Sequence, residues 1–220
     1  MMTSDCLAPG AFIDSDAPAV VAFAQRAAAG ATEPRAAALR LYAAVRDGIV
    51  YDPYVDLADP ANYRASTVLA KGRGFCVGKA ALLAAAARSI GVPARVGFAD
   101  VKNHLTSKRL YETMKTDTFI WHSYAELNLD GRWVKATPAF DQALCERLSL
   151  APLAFDGVND SLFHPFDKTG QRHMEYLHDR GPYPDVPFDT IVADLRTAYP
   201  HMMRAAGLAG EFRNEAVAGA

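Results

Sequence analysis

The sequence predicts an α+β fold in which N-terminal helices precede a cysteine-headed central helix packed on an antiparallel β-sheet. Three observations predict it. Residues 16–29 and 33–48 are alanine-rich and carry helix start signals. A run beginning at Cys76 reads as a helix between glycines, and two strand-like runs flank Asp130-Gly131.

Taking the elements in order, Asp16 or Thr32 can cap the first two helices. Pro18 and Pro34 fall in the first turn, where a missing N–H costs nothing. Tyr51 to Ala70 is rich in Pro, Asp and Asn without a clear period, so it is expected to be a surface loop that could line a cleft. Gly72 and Gly74 make the turn before CVGKAALLAAAARSIG, and Gly91 and Pro93 end that helix.

ARVGFA follows as a strand. After a polar stretch from Lys102 to Asp117, FIWHSYAELNL and RWVKA are joined by Asp130-Gly131, a strong two-residue hairpin signal. That turn sets the register: Leu129 opposite Arg132, Asn128 opposite Trp133, Glu126 opposite Lys135, Tyr124 opposite Thr137. A last amphipathic helix is expected where Phe188, Ile191, Val192, Leu195 and Tyr199 recur after Pro187. One domain is expected over 1–220, with a core at about 33–141, a C-terminal cover at about 142–206 and a frayed tail at 207–220.

The chain has 220 residues, 50% of them hydrophobic and 22% charged, enough for one sizeable core. A net charge of -2, with both signs mixed along the length, leaves no electrostatic footprint for nucleic acid or an anionic membrane. The expected partner is a small-molecule or peptide substrate, and oligomeric state is left open. No stretch reaches the roughly 20 apolar residues of a membrane span, and MMTSDCLAPG lacks the pattern of a secretory signal, so a cytoplasmic location is expected. Three cysteines without CxxC spacing suggest neither a disulfide framework nor a zinc knuckle.

Two residues stand out chemically. A cysteine at a helix N-terminus has its thiolate favoured by the helix dipole and by unpaired N–H groups. Lys71, Arg73 and Lys79 add positive charge nearby in sequence. The plainer reading makes Cys76 a small buried hydrophobe. In the strand before Asp130, alternation puts His122, Tyr124, Glu126 and Asn128 on one face. Trp121, Ser123, Ala125, Leu127 and Leu129 form the more apolar face. His122 is placed as a base would be, although a lone strand histidine is more often structural.

GRGFCVGKAALLAAAARSIGVPARV followed by WHSYAELNLDGRWVKATP resembles the core of the transglutaminase-like superfamily, over roughly residues 65–141. The resemblance implies a papain-like arrangement, with Cys76 as nucleophile and His122 as base. Gly91, Pro93, Ala94 and Arg95 match its helix-to-strand connection. The histidine-orienting aspartate of the family falls on Thr137 in KATPAFD, so a carboxylate is missing from its expected place. Asp141, four residues on, is the leading candidate orienter, and the Thr137 hydroxyl is the alternative. Glu126 is less suited, because Lys135 opposite it offers an ordinary cross-strand ion pair.

The backbone N–H of Cys76 is the natural first oxyanion donor, and the sequence names no second. His164, His173 and His178 with Asp167 and Glu175 could suggest metal, but the five-residue spacing of His173 and His178 does not place two ligands on one helical face. No cofactor or metal is expected. Cys6, in an unstructured start, and Cys145, in a short helix, receive no role.

The expected activity is hydrolysis of an amide or peptide bond through a thioester at Cys76, on a substrate with an amide or ester carbonyl. Acyl transfer of the transglutaminase kind is the alternative, and a catalytically silent binding module is a third possibility.

Overall fold

A computed structural model gives the structure of the protein and describes residues 3–104, 106–163, 170, 173–204 and 212. The expected tail, 207–220, lies outside the described residues apart from 212, as do His164 and Asp167. Among the described residues no helix is long and apolar enough to cross a membrane.

After a short 3-10 helix at Thr3–Cys6 come α1 (Pro18–Ala27) and α2 (Pro34–Gly48). Both begin with proline in the first turn and neither uses the expected side-chain cap, since Ala17 and Glu33 occupy the cap positions. The C-terminal end of α2 is closed from a distance. The buried Lys79 sends its Nζ to the carbonyls of Arg46 at 2.9 Å and Ile49 at 2.5 Å, where a cation meets the negative end of the helix dipole.

The segment expected to be a loop is partly ordered. It contains β1 (Val50–Tyr51), a 3-10 turn at Pro60–Tyr63 and α3 (Ala65–Lys71), which Gly72 ends in the left-handed region at φ +62°. β2 (Arg73–Gly74) pairs in parallel with β1.

α4 (Cys76–Ser89) is the axis of the molecule, buried from Cys76 to Arg88. Its alanines explain how: a helix covered on all sides needs small residues so that α1, α2 and α3 can close in opposite the sheet. At Gly78 a Cβ would lie 2.7 Å from the Asn62 carbonyl oxygen, so the first turn of α4 tolerates no side chain there. At its far end Arg88 ties the N-terminal segment to two later stretches of the chain, bonding the carbonyls of Ala8, Ala94 and Pro184.

The sheet begins with β3 (Ala94–Asn103). α5 (Lys108–Met114) interrupts the polar stretch, and the hairpin of β4 (Thr118–Leu129) and β5 (Arg132–Ala136) follows. The expected register holds for Leu129, Asn128 and Glu126 and ends at Ala125 opposite Ala136. Tyr124 and Thr137 do not pair, because the chain leaves β4 there and Thr137 N–H bonds the Ser161 carbonyl at 2.9 Å. Asp130 at φ +53° and Gly131 at φ +79° make the tight turn.

α6 (Gln142–Arg147) contains the buried Cys145, as expected. The stretch expected to be a C-terminal cover supplies β6 (Met174–Tyr183), which completes the antiparallel order β5-β4-β3-β6. α7 (Phe188–Ala198) lies on the expected apolar repeat, and α8 (Pro200–Arg204) follows. Cys6 is fully buried in its 3-10 turn and not in an unstructured start. The observed architecture is the mixed helical and antiparallel fold expected from the sequence.

Candidate active site

The site begins where α4 meets β4. Cys76 heads the helix, and its side chain faces a strand that runs past the end of its partner, since β5 pairs β4 only from Ala125 onward. Just before that point β4 is irregular. Ala99 pairs with His122 and Val101 with Phe119, so Ile120 and Trp121 stand opposite Asp100 alone. This bulge puts Trp121 at φ +58°, a left-handed conformation costly for a bulky residue.

The strain is held in place by a polar clasp. Trp121 N–H donates to Asp100 Oδ1 at 3.1 Å, and its indole N–H to Asp194 Oδ2 at 2.8 Å. Arg180 links those two carboxylates at 2.6 and 3.0 Å and lies 4.4 Å over the Trp121 ring. Tyr199 adds its hydroxyl, accepting from Ile120 N–H at 2.7 Å. A bulge bends and twists its strand locally, and His122, the residue after Trp121, borders two cavities.

The larger cavity, of about 60 Å³, is shared by Cys76 and His122. The smaller, of about 10 Å³, is shared by His122 and Thr137. The structure therefore brings Cys76 and His122 into one pocket and puts Thr137 on the second cavity that His122 borders. His122 is 8% exposed and Thr137 3%, and neither His122 Nε2 nor Thr137 Oγ1 has a hydrogen-bond partner among the described residues.

Burial dominates the electrostatics. It pushes the Cys76 thiol up to about 11, while the backbone N–H groups of Ser123, Val77 and Cys76 itself pull the other way. It pushes the His122 imidazole down to about 4. Burial thus favours the uncharged form of each, thiol and neutral imidazole, and opposes the thiolate-favouring pull of the helix N-terminus. The cations expected to help are committed elsewhere: Lys79 to the end of α2, Lys71 to Asn62 Oδ1 at 2.7 Å, Arg73 to Asp52 at 3.4 Å.

Asp141 is also drawn elsewhere. It is 1% exposed, and its carboxylate caps α6 by accepting from Leu144 N–H at 3.1 Å and accepts from Tyr51 N–H at 3.2 Å. Neither cavity that His122 borders includes it. Glu126 pairs with Arg95 at 2.6 Å in place of the expected Lys135, which turns to Asp179 at 3.7 Å. Arg95 also lies 4.0 Å over the Trp133 ring, which suits the architectural part expected of it.

Of the histidine-rich segment, His173 is buried and His178 stands on β6, while Glu175 meets His104 at 3.3 Å. Among the described residues no group of three His, Cys, Asp or Glu side chains converges as a metal would require. The Ser123 N–H beside the sulfur is the feature that sequence reasoning missed. It lies where β4 outruns β5, whereas the expected register continued the pairing to Tyr124 and Thr137.

A family model described as the transglutaminase-like superfamily matches residues 21–138, more than half of the chain. Among solved structures, a candidate cysteine protease of Cytophaga hutchinsonii is similar at 16% identity and a TM-score of 0.51, over 82% of this chain and 46% of that one. The chain therefore spans less than half the length of that protein. A candidate protease of Parabacteroides distasonis, also at 16% identity, aligns with a TM-score of 0.38 over 57% of this chain and 25% of that one. No curated protein matches the chain.

Proposed function

The chain belongs to the transglutaminase-like superfamily, and from that premise we propose that it is a cysteine-dependent hydrolase that cleaves an amide or peptide bond through a thioester on Cys76. The observation that carries this reading is one pocket lined by a helix-heading sulfur and an imidazole, with the backbone N–H groups of Ser123, Val77 and Cys76 acting on that sulfur.

The starting state is neutral. As the sulfur attacks the carbonyl carbon, its proton passes to His122, so thiolate and imidazolium exist together only along the reaction path. The carbonyl oxygen gains the negative charge, and the N–H groups of Cys76 and Ser123 are the donors best sited to receive it. The tetrahedral centre collapses, the C–N bond breaks, and the imidazolium returns its proton to the departing amine. Water then attacks the thioester with His122 as base, the C–S bond breaks, and the acid leaves with the thiol restored.

The mostly apolar lining of the pocket also favours a second reading. A thioester shielded from water persists long enough for an amine to take the acyl group. Incubating the protein with peptide and amide libraries, reading covalent mass at Cys76 and then adding amines separates the possibilities. Adducts discharged by water alone support hydrolysis, whereas new amides support transfer. Absence of any adduct, even from activated esters, overturns both and leaves a binding module.

A further inference from the structure

The walls around Cys76 and His122 bear on what is attached to the carbonyl. They come from the β1 loop, α5, the β4 bulge, α7 and α8, and no lining side chain is a carboxylate, an amine or a guanidinium. Two of the polar tips in the wall are turned to other partners, and the Tyr51 ring lines it as well. Tyr199 uses its hydroxyl on Ile120 N–H and the Thr118 carbonyl, both at 2.7 Å, and the Trp121 indole N–H points to Asp194. A charged group entering here would lose its water and meet no countercharge in the lining.

Size narrows the choice further. The cavity measures about 60 Å³. A single water needs about 10–15 Å³ of such space, and a cavity of about 150 Å³ is known to take benzene. The space therefore holds several heavy atoms and falls short of an aromatic ring.

We propose that the site selects carbonyls bearing a short aliphatic group of about four carbons, which in a peptide means a valine- or leucine-like side chain on the acyl side of the scissile bond. This rests on the thioester chemistry proposed above. Ile191 and Leu195 of α7 with Met202 of α8 form the wall that sets the limit on length. Acylation transfers the acyl group from ester oxygen to sulfur, and the leaving alcohol takes the thiol proton by way of His122.

The test uses the full chain and p-nitrophenyl acetate, isovalerate, benzoate and succinate, with the second-order rate of Cys76 acylation read by intact mass. At about fourfold per buried carbon, isovalerate should exceed acetate by roughly 60-fold, with benzoate and succinate no faster than acetate. Leu195→Ala should raise the benzoate rate towards that of isovalerate. Met202→Ala, on the short terminal helix, should shift it the same way if Leu195→Ala fails to fold. Rates independent of the acyl group, or a preference for succinate, with the adduct still on Cys76, would overturn the selectivity and leave the thioester reading intact. No adduct on Cys76 from any ester would overturn both.

Discussion

Acidifying the wild type and His122→Gln side by side measures what burying one imidazole does to stability. In the folded state burial holds His122 at about 4, against an ordinary value of 6.5. Between those values the unfolded chain binds a proton that the folded chain refuses, so stability is lost as pH falls. The contribution is intact above pH 6.5 and is lost as pH falls towards 4. Linkage gives a loss of about 2 kcal/mol at pH 5 and about 3 kcal/mol at pH 4. Urea unfolding at pH 7.5, 6, 5 and 4 yields the wild-type minus variant difference, in which the other titrating groups cancel. That difference should move by about 3 kcal/mol against the wild type between pH 7.5 and 4. A difference that stays within about 0.5 kcal/mol would refute the reasoning, because His122 would then be as well solvated folded as unfolded.

Asp141→Ala should lower stability by about 2 kcal/mol, measured by urea unfolding, through loss of the α6 cap. Its effect on Cys76 acylation at a temperature where the variant is folded should be under about tenfold, and a loss beyond about 10³-fold would mean that Asp141 acts on the imidazole. Glu126→Gln should cost about 3 kcal/mol, because it takes the carboxylate from Arg95 in a place where both groups are largely buried; an unchanged urea midpoint would contradict this. Arg180→Ala should slow Cys76 acylation at least about tenfold by loosening the Trp121 bulge, with Arg180→Lys recovering only part of the rate. Equal rates in all three proteins would separate the clasp from the site.

What the sequence made legible was local. Proline in a first turn, alanine-rich interiors and Asp-Gly between two strands each act within a few residues, and α1, α2, α4 and the β4-β5 hairpin stand where those signals put them. β6 escaped because it is an irregular edge strand. Its register against β3 shifts twice, Gly181 sits at φ +77°, and Pro182 is tolerated in such a strand, so no clean alternation marks it. α3 escaped because its seven residues carry no cap and gain their helicity by packing on α4.

The same division runs through the site. Cys76 and His122 were legible as candidates from helix position and strand face, and the structure brings them to one pocket. The charge assigned to Lys79 was not, because the end of α2, far away in sequence, claims it. The surroundings of Asp141 were hidden for a similar reason: four residues from Thr137, its carboxylate is engaged by the start of α6 and by Tyr51 N–H. The Trp121 bulge depends on Asp100, Arg180 and Asp194 from three separate elements, and the apolar walls come from five, which no local pattern reports.

The account stands on cooperation between the Cys76 sulfur and the His122 ring across the shared cavity. Acylation of Cys76 by p-nitrophenyl isovalerate at pH 7.5, timed by intact mass in the wild type and in His122→Ala, tests it directly. A positioned general base is worth about 10²–10⁴-fold, so the variant should be slower by that factor while its adduct still maps to Cys76. Equal rates in the two proteins would contradict it.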